Sequence, residues 1–533
     1  MVARISAYVI FILAFVYLLV GANIGLSIYG EGLSLYGAMR VLDGEVPYRD
    51  FWSMYAPGEL YLLALLFTLL GPSVIAARLL SLAIIFGLVL TLYVLLRRSL
   101  SGVVSLIGLG LAVVWLGASF RFFTYPVFPA LLLILLSTNF LLRYQSSKRV
   151  TFLLLSGFFA GFAAFFRHDL AAYALVAETI TLLGFELLSA DRLEREHRSR
   201  LKHTLVAAGL YVAGAGIFIV PVGLYFVIHV PVQTLIADLI VFPARIFPGT
   251  RGLPYPPPRW ENLLFYVPFV VHAMSTAFII RLGRAEHGRL DSARKWTLIL
   301  FTALGILFFG QARVRSDIPH LFPFLLSAVP GTCFLLGELV GGFRWRDTRW
   351  WRSPFRLALL AVLFLVAASV VVPIKQRGLL ARSYLEGANP LELSIERGRG
   401  IIMTGASKTY EDMILFLQEA VPEGGRIYGG TLRHDLVSFG DAMLYFLSDR
   451  NCCTGYYEIH PGLTTTRSVQ EQIVRDIEFF QVEYVVLFNH FEKEPNESSK
   501  SSGVFILDRF IRENFEPVRQ FHLKYTVWKR TAG

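Results

Sequence analysis

The chain has 533 residues, 55% of them hydrophobic, and carries a formal net charge of +11. That apolar share exceeds the roughly 45–50% usual for soluble proteins, and together with a mean hydropathy of +0.56 it excludes a purely soluble enzyme. The basic excess invites a nucleic-acid partner, but no soluble patch interleaves aromatic and basic residues, so that class is excluded too.

The apolar residues come in runs of the length that crosses a hydrocarbon core, about 17–25 residues, and the runs stop near residue 373. About eleven spans are predicted, near residues 6–28, 73–96, 102–119, 124–142, 151–167, 170–189, 204–229, 261–280, 297–311, 318–340 and 356–373. The first has no small-residue cleavage site before Tyr29 and reads as a membrane helix, not a removed signal peptide. The loop that follows, 29–72, carries Leu35, Ala38, Met39 and Leu42 at helical spacing, with Gly44 as a stop, which predicts an interfacial amphipathic helix. Pro57 opens a second apolar run, Leu60 to Leu70, closed by Gly71-Pro72. Some 13 residues at 1.5 Å each reach only about 20 Å, so this run is expected to lie on the surface or re-enter partway.

Basic residues crowd into alternate loops: Arg97-Arg98, Arg143 to Arg149, Arg192 to Lys202, Arg281 to Lys295 and Arg344 to Arg356. Placing those loops and the N-terminus in the cytoplasm satisfies the positive-inside rule. An odd number of spans then puts the tail outside, in a protein of the cytoplasmic membrane. The loop from 230 to 260 falls on the outer side as well. Its run Pro254-Tyr255-Pro256-Pro257-Pro258 reads as an extended connector or a lid over a site.

A transmembrane domain over 1–375 and an extracytoplasmic α/β domain over 376–533 are thus expected. In the tail, helices are predicted at Tyr410 to Glu419, Ala442 to Leu447, Arg467 to Phe480 and Val504 to Asn514. Strands are predicted at Arg426 to Tyr428, Tyr484 to Phe488 and Tyr525 to Lys529, an alternation that favours a mixed sheet. Three cysteines are too few for a disulfide scaffold, and adjacent Cys452 and Cys453 make a strained pair. Asn496-Glu497-Ser498 matches a glycosylation sequon.

Polar residues gather at the outer ends of the spans. Glu31 and Asp50 lie in the first loop, Arg78 about one turn into the second span, and Arg121 between the third and fourth. Arg167, His168 and Asp169 separate spans five and six; Gln311, Arg313, Arg315, Asp317 and His320 separate spans nine and ten. These groups can converge in one outward-facing cavity. Transfer of a sugar from a lipid-linked phosphate needs a base for the acceptor hydroxyl and cations for the departing phosphate, for which arginine offers paired donors. A divalent metal could share that neutralisation, though no CxxC or other ligand spacing marks a site for one.

The first-loop pattern, Phe-Arg-His-Asp at 166–169 and Arg-Ser-Asp-Ile-Pro-His-Leu at 315–321 resemble bacterial membrane glycosyltransferases of the C-type fold. These stand with the family 39 group, which includes protein O-mannosyltransferases and lipid A aminoarabinose transferases. The resemblance covers most of the chain. It implies a polyprenyl-phosphate-sugar donor, a lipid, polysaccharide or protein acceptor, inversion at the anomeric carbon, and an acidic first-loop residue as base. Glu31 matches that catalytic position, where the family often has an Asp-Glu pair and this chain has Gly30 in place of the Asp. Asp50 matches the second recurring acid. Arg167 and Arg315 match positions that hold the donor phosphate, with Arg78 beside them and Asp169, Asp317 and His320 in support. The runner-up reading is a transporter or flippase of a lipid-linked saccharide, which would place its polar groups near the midplane and show internal repeats. A third, a scaffold displaying its tail to partners, has no need of Glu31 or Asp50.

Overall fold

The computed structural model describes the chain except residue 1 and residues 119–123, 189–196, 285–291, 343–352, 386–390, 404–406, 490–492, 522–523 and 532–533. Arg121 lies outside the described residues. Most of the first 385 residues form helices. Among the described residues, nine are long and apolar enough to cross a membrane, and all but one fall on expected spans. Three further expected spans are present as shorter apolar helices, Val9–Leu19, Gly102–Leu116 and Val150–Phe166.

Local chemistry starts these helices where the sequence places them. Ser73 and Ser101 accept hydrogen bonds from the backbone N–H groups of Ala76 and Val104, capping Val74–Arg97 and Gly102–Leu116. Small residues then let helices touch. A Cβ on Gly157 would sit 1.9 Å from the Tyr211 carbonyl oxygen, and one on Gly161 would sit 2.5 Å from that of Ala215. Helices Val150–Phe166 and His197–His229 thus meet backbone to backbone, as membrane helices do without a hydrophobic drive between them. Glu178, inside the bundle, is fully satisfied by Ser137 (2.5 Å), Thr138 (2.8 Å) and Tyr211 (2.6 Å), which answers the cost of a carboxyl at that depth.

The exceptional long helix is Val232–Arg251, in the loop read as an extended connector or a lid. It is interrupted: Val232–Ile236 is α, Ala237–Ile246 is π, and Phe247–Arg251 is α again. Phe242 packs edge-on to Trp52 at 4.8 Å and against His460 at 5.2 Å, and Ile246 and Thr250 lie against Gly462. From Phe242 to Arg251 the segment contacts the C-terminal region, while Leu235 and Leu239 pack against Val46, Tyr48, Phe226 and Val230. Pro243 and the run from Pro254 to Pro258 argue against a helix in this loop; Pro243 falls inside the π segment, where the backbone hydrogen bonds span wider turns.

The C-terminal region holds β1 (Leu391–Glu392) and β2 (Ile402–Met403) as a small antiparallel pair. A five-stranded mixed sheet follows, of β3 (Arg426–Thr431), β4 (Asn451–Cys452), β5 (Tyr484–Phe488), β6 (Phe515–Phe521) and β7 (Tyr525–Arg530), in the order β4-β3-β5-β7-β6. β3 runs parallel to β4 and β5, while β7 pairs antiparallel with β5 and β6. The predicted helices appear as Ser407–Ala420, Met443–Ser448, Arg467–Phe479 and Ile506–Asn514. All three cysteines are free and buried.

The first loop is built into this region. Helix Gly30–Leu42 buries Leu35, Tyr36 and Ala38, with Tyr36 stacked on Tyr445 at 4.9 Å. Helix Gly58–Leu70 adds Leu63 and Phe67 to the same core, which continues through Ile427, Val486 and Val527 of the sheet. The amphipathic helix expected at the lipid interface is therefore covered by protein: its apolar face meets the sheet region instead of the bilayer.

Candidate active-site cavity

A cavity of about 510 Å³ opens where the helical bundle, the first loop and the C-terminal region meet. Its wall draws on five separate stretches of chain. Tyr29, Glu31, Tyr55 and Glu59 come from the first loop, Thr124 and Tyr125 from the start of helix Val127–Ser147, and Arg251 from the interrupted helix. Arg315 and Asp317 come from the turn before helix Ile318–Gly342, His320 from its first turn, and Tyr457 and Glu458 from the C-terminal region.

Glu31 stands in the first turn of its helix, where the dipole favours an acid. It is 1% exposed. Arg78 grips both its oxygens, Nε to Oε1 and Nη2 to Oε2, each at 2.7 Å, and the Ser27 N–H adds a bond to Oε2 at 3.0 Å. Arg78 also donates to the carbonyls of Ala22 (3.0 Å) and Gly25 (2.7 Å). The carboxylate is thereby fixed in orientation, with the guanidinium behind it and off the cavity wall.

Arg315 is the hub of the opposite wall. Its Nε donates to Asp317 at 2.8 Å, its Nη1 to the Arg251 carbonyl at 2.5 Å, and Nη1 and Nη2 to Glu494 at 3.1 and 2.8 Å. Arg251 donates to the same Glu494 carboxylate at 3.0 Å. Asp317 also bonds the His320 ring at 2.5 Å and the His320 N–H at 3.1 Å. Burial alone would raise the Asp317 pKa, but His320 and Arg315 hold it down at about 2.

Among the described residues, two acids on the wall have no cation bonded to them. Glu458, 3% exposed, takes a hydrogen bond from the Tyr29 hydroxyl at 3.0 Å. Burial pushes its pKa up to about 7, partly offset by Tyr29 and by the charge of Arg251. Glu59 is buried, and its Oε2 has no hydrogen-bond partner among the described residues.

The structure thus brings Glu31, Arg315, Asp317 and His320 onto one cavity, with Arg78 directly behind Glu31. Arg167 and Asp169 form a paired contact of their own (2.9 and 2.6 Å), with the Arg167 guanidinium 5.7 Å from the ring of cavity-lining Tyr55. Asp50 lies away from the wall, bonded by the Val46 N–H at 2.7 Å and by Arg49 at 2.7 Å, and its carboxyl is held below the usual range chiefly by Arg49. Arg251, Glu458 and Glu494 were not singled out in the sequence: only the fold brings them beside Glu31 and Arg315. Glu59 did carry a signal, as an acid opening an apolar run. Among the described residues no three His, Cys, Asp or Glu side chains gather as metal ligands. The cations on this wall are arginines, with His320 beside them.

The fold is that of the C-type membrane glycosyltransferases, a helical membrane bundle carrying a sheet-containing C-terminal region. Two solved proteins show the likeness. ArnT from Cupriavidus metallidurans in the apo state aligns over 99% of this chain and 99% of its own, with a TM-score of 0.56 at 12% identity. The same protein bound to undecaprenyl phosphate aligns over 100% and 98%, with a TM-score of 0.51 at 12% identity. The Archaeoglobus fulgidus oligosaccharyltransferase tethered with an acceptor peptide aligns over 90% of this chain and 69% of its own, with a TM-score of 0.50 at 12% identity. No family model matches the chain, and no curated protein matches it.

Proposed function

We propose that this protein is a membrane glycosyltransferase that moves a sugar from a polyprenyl-phosphate donor to an acceptor hydroxyl outside the cytoplasm. The observation that carries the reading is an oriented buried carboxylate, Glu31, sharing one cavity with the Arg251–Arg315 pair. Glu31 is a first-loop carboxylate on that cavity held in place by an arginine behind it, and the arginine pair supplies donors for a phosphate. That one solved protein of this fold is bound to undecaprenyl phosphate supports the choice of donor.

In this reading Glu31 accepts the acceptor's hydroxyl proton as its oxygen attacks the anomeric carbon. The C1–O bond to phosphate breaks, and its electron pair leaves on the phosphate oxygen, steadied by Arg315 and Arg251. Attack opposite the leaving phosphate inverts the anomeric centre. Arg78 orients Glu31, while Asp317 and His320 hold Arg315; Arg167 and Asp169 brace Tyr55. Asp50 secures the loop that carries the cavity's first wall. A site at one end of the bundle, and not at its midplane, supports an enzyme over a transporter. The positive-inside pattern supports placing that end outside the cytoplasmic membrane, with the acceptor a lipid, polysaccharide or protein.

Purified protein in lipid vesicles is expected to transfer radiolabelled sugar from one member of a panel of undecaprenyl-phosphate sugars. Glu31→Gln is expected to lower kcat by about 10²–10⁴-fold while inserting normally. Full turnover by Glu31→Gln would remove the base assignment.

A further inference from the structure

Glu494 is a carboxylate already seated on the arginines that the proposed reaction needs for phosphate. It lies 243 residues from Arg251 and 179 from Arg315 in sequence, so the fold alone delivers it there. Arg315 Nη2 meets its Oε1 at 2.8 Å, Arg315 Nη1 its Oε2 at 3.1 Å, and Arg251 Nη1 its Oε2 at 3.0 Å. Asn496 holds it from behind, donating to Oε2 at 2.9 Å and to the Gly252 carbonyl at 2.9 Å. Its side chain is 9% exposed, and although burial opposes ionisation, Arg315 and Arg251 keep it charged. Asp317 is the second acid on Arg315. Two guanidinium charges are therefore matched by two carboxylates before any ligand arrives.

That balance bears differently on the two lipids of a transfer reaction. The donor is a phosphodiester with one negative charge at any pH near neutrality. Once the C1–O bond breaks, the phosphate becomes a monoester whose second ionisation lies near pH 6, so it carries about two charges at pH 8. A fixed carboxylate on the far side of the arginines repels the second charge more than the first alone.

We propose that Glu494 makes the arginine pair selective for the singly charged phosphodiester over the doubly charged phosphomonoester, so that the cavity takes up donor and expels product. The proposal rests on the reading of this cavity as the donor-phosphate site. It gives the C-terminal region a part in turnover: Glu494 is a selectivity residue acting through Arg251 and Arg315.

The test uses the full chain in nanodiscs at pH 8 and two probes, undecaprenyl phosphate and its methyl diester. Wild type is expected to bind the diester more tightly. Glu494→Gln, which keeps the shape and can still accept from the arginines, is expected to shift the ratio of the two Kd values at least about tenfold toward the monoester, the effect of one added charge roughly 12 Å or less from one carboxylate at an effective dielectric of roughly 20. Glu494→Asp should keep the wild-type preference. An unchanged ratio in Glu494→Gln overturns the proposal, as does loss of diester binding, which would make Glu494 a brace for the arginines and nothing more. Arg315→Gln separates the parent reading: if it binds both lipids as wild type does, the phosphate site itself is misplaced.

Discussion

Glu31 and Glu458 face one cavity but live in different electrostatic worlds. Glu31 is matched by a two-point arginine contact, which offsets part of the cost of burying its charge. Glu458 has a tyrosine hydroxyl and, among the described residues, no cation bonded to it, so burial shifts it to about pH 7. The consequence for stability has a definite sign. Glu458 binds its proton more tightly folded than unfolded, so its contribution is fully present below about pH 4.5 and is lost as pH rises through about 7. Thermal unfolding between pH 5 and pH 8 should show wild type losing stability relative to Glu458→Gln, by up to about 3 kcal/mol. Parallel curves for the two proteins would mean that Glu458 is not desolvated in the folded state. Of these residues, Glu31 and Arg315 were legible because they sit in recognisable local patterns. Glu458 and Glu494 carry no such pattern, since their meaning depends on neighbours hundreds of positions away.

At the scale of elements, the first-loop helix Gly30–Leu42 is the piece on which the cavity depends. Its third residue, Gly32, abuts the start of helix Met443–Ser448: a Cβ there would stand 2.3 Å from the Met443 backbone nitrogen and 2.8 Å from the Ala442 carbonyl carbon. Backbone cannot rotate away as a side chain can. Gly32→Ala should therefore lower stability by about 1–3 kcal/mol and loosen Glu31 beside it, read as a drop in Tm. Gly110→Ala, in open space within a membrane helix, should leave Tm level or raise it slightly. Equal Tm values for both variants would show that the loop does not dock as described. Sequence patterns recovered most elements here, because runs such as Tyr484–Phe488 are apolar throughout and buried on both faces. They missed β6, where Glu516, Pro517 and Arg519 lie exposed along an edge strand and break the apolar alternation. They also read the loop from 230 to 260 as an extended connector or a lid and missed the helix within it, because proline argues against helix unless wider turns absorb it.

For the whole molecule, an apolar helical part and a sheet-containing C-terminal region were legible from hydropathy and pattern, but the joint between them was not. The first loop belongs to the sheet region's core as much as to the bundle, and the cavity exists only where the two parts close on each other. Glu494, Asn496 and Glu458 reach from one side, and Arg251, Arg315 and Glu31 from the other. The central claim is that this junction is where a lipid phosphate is bound and its sugar transferred. A cryo-EM structure of the full chain with undecaprenyl phosphate tests it most directly. The account predicts phosphate density within hydrogen-bond reach of Arg251 and Arg315, facing Glu31 across the cavity, with the prenyl chain leading out toward the bilayer. Phosphate density at any other place on the molecule, with this cavity empty, would contradict it.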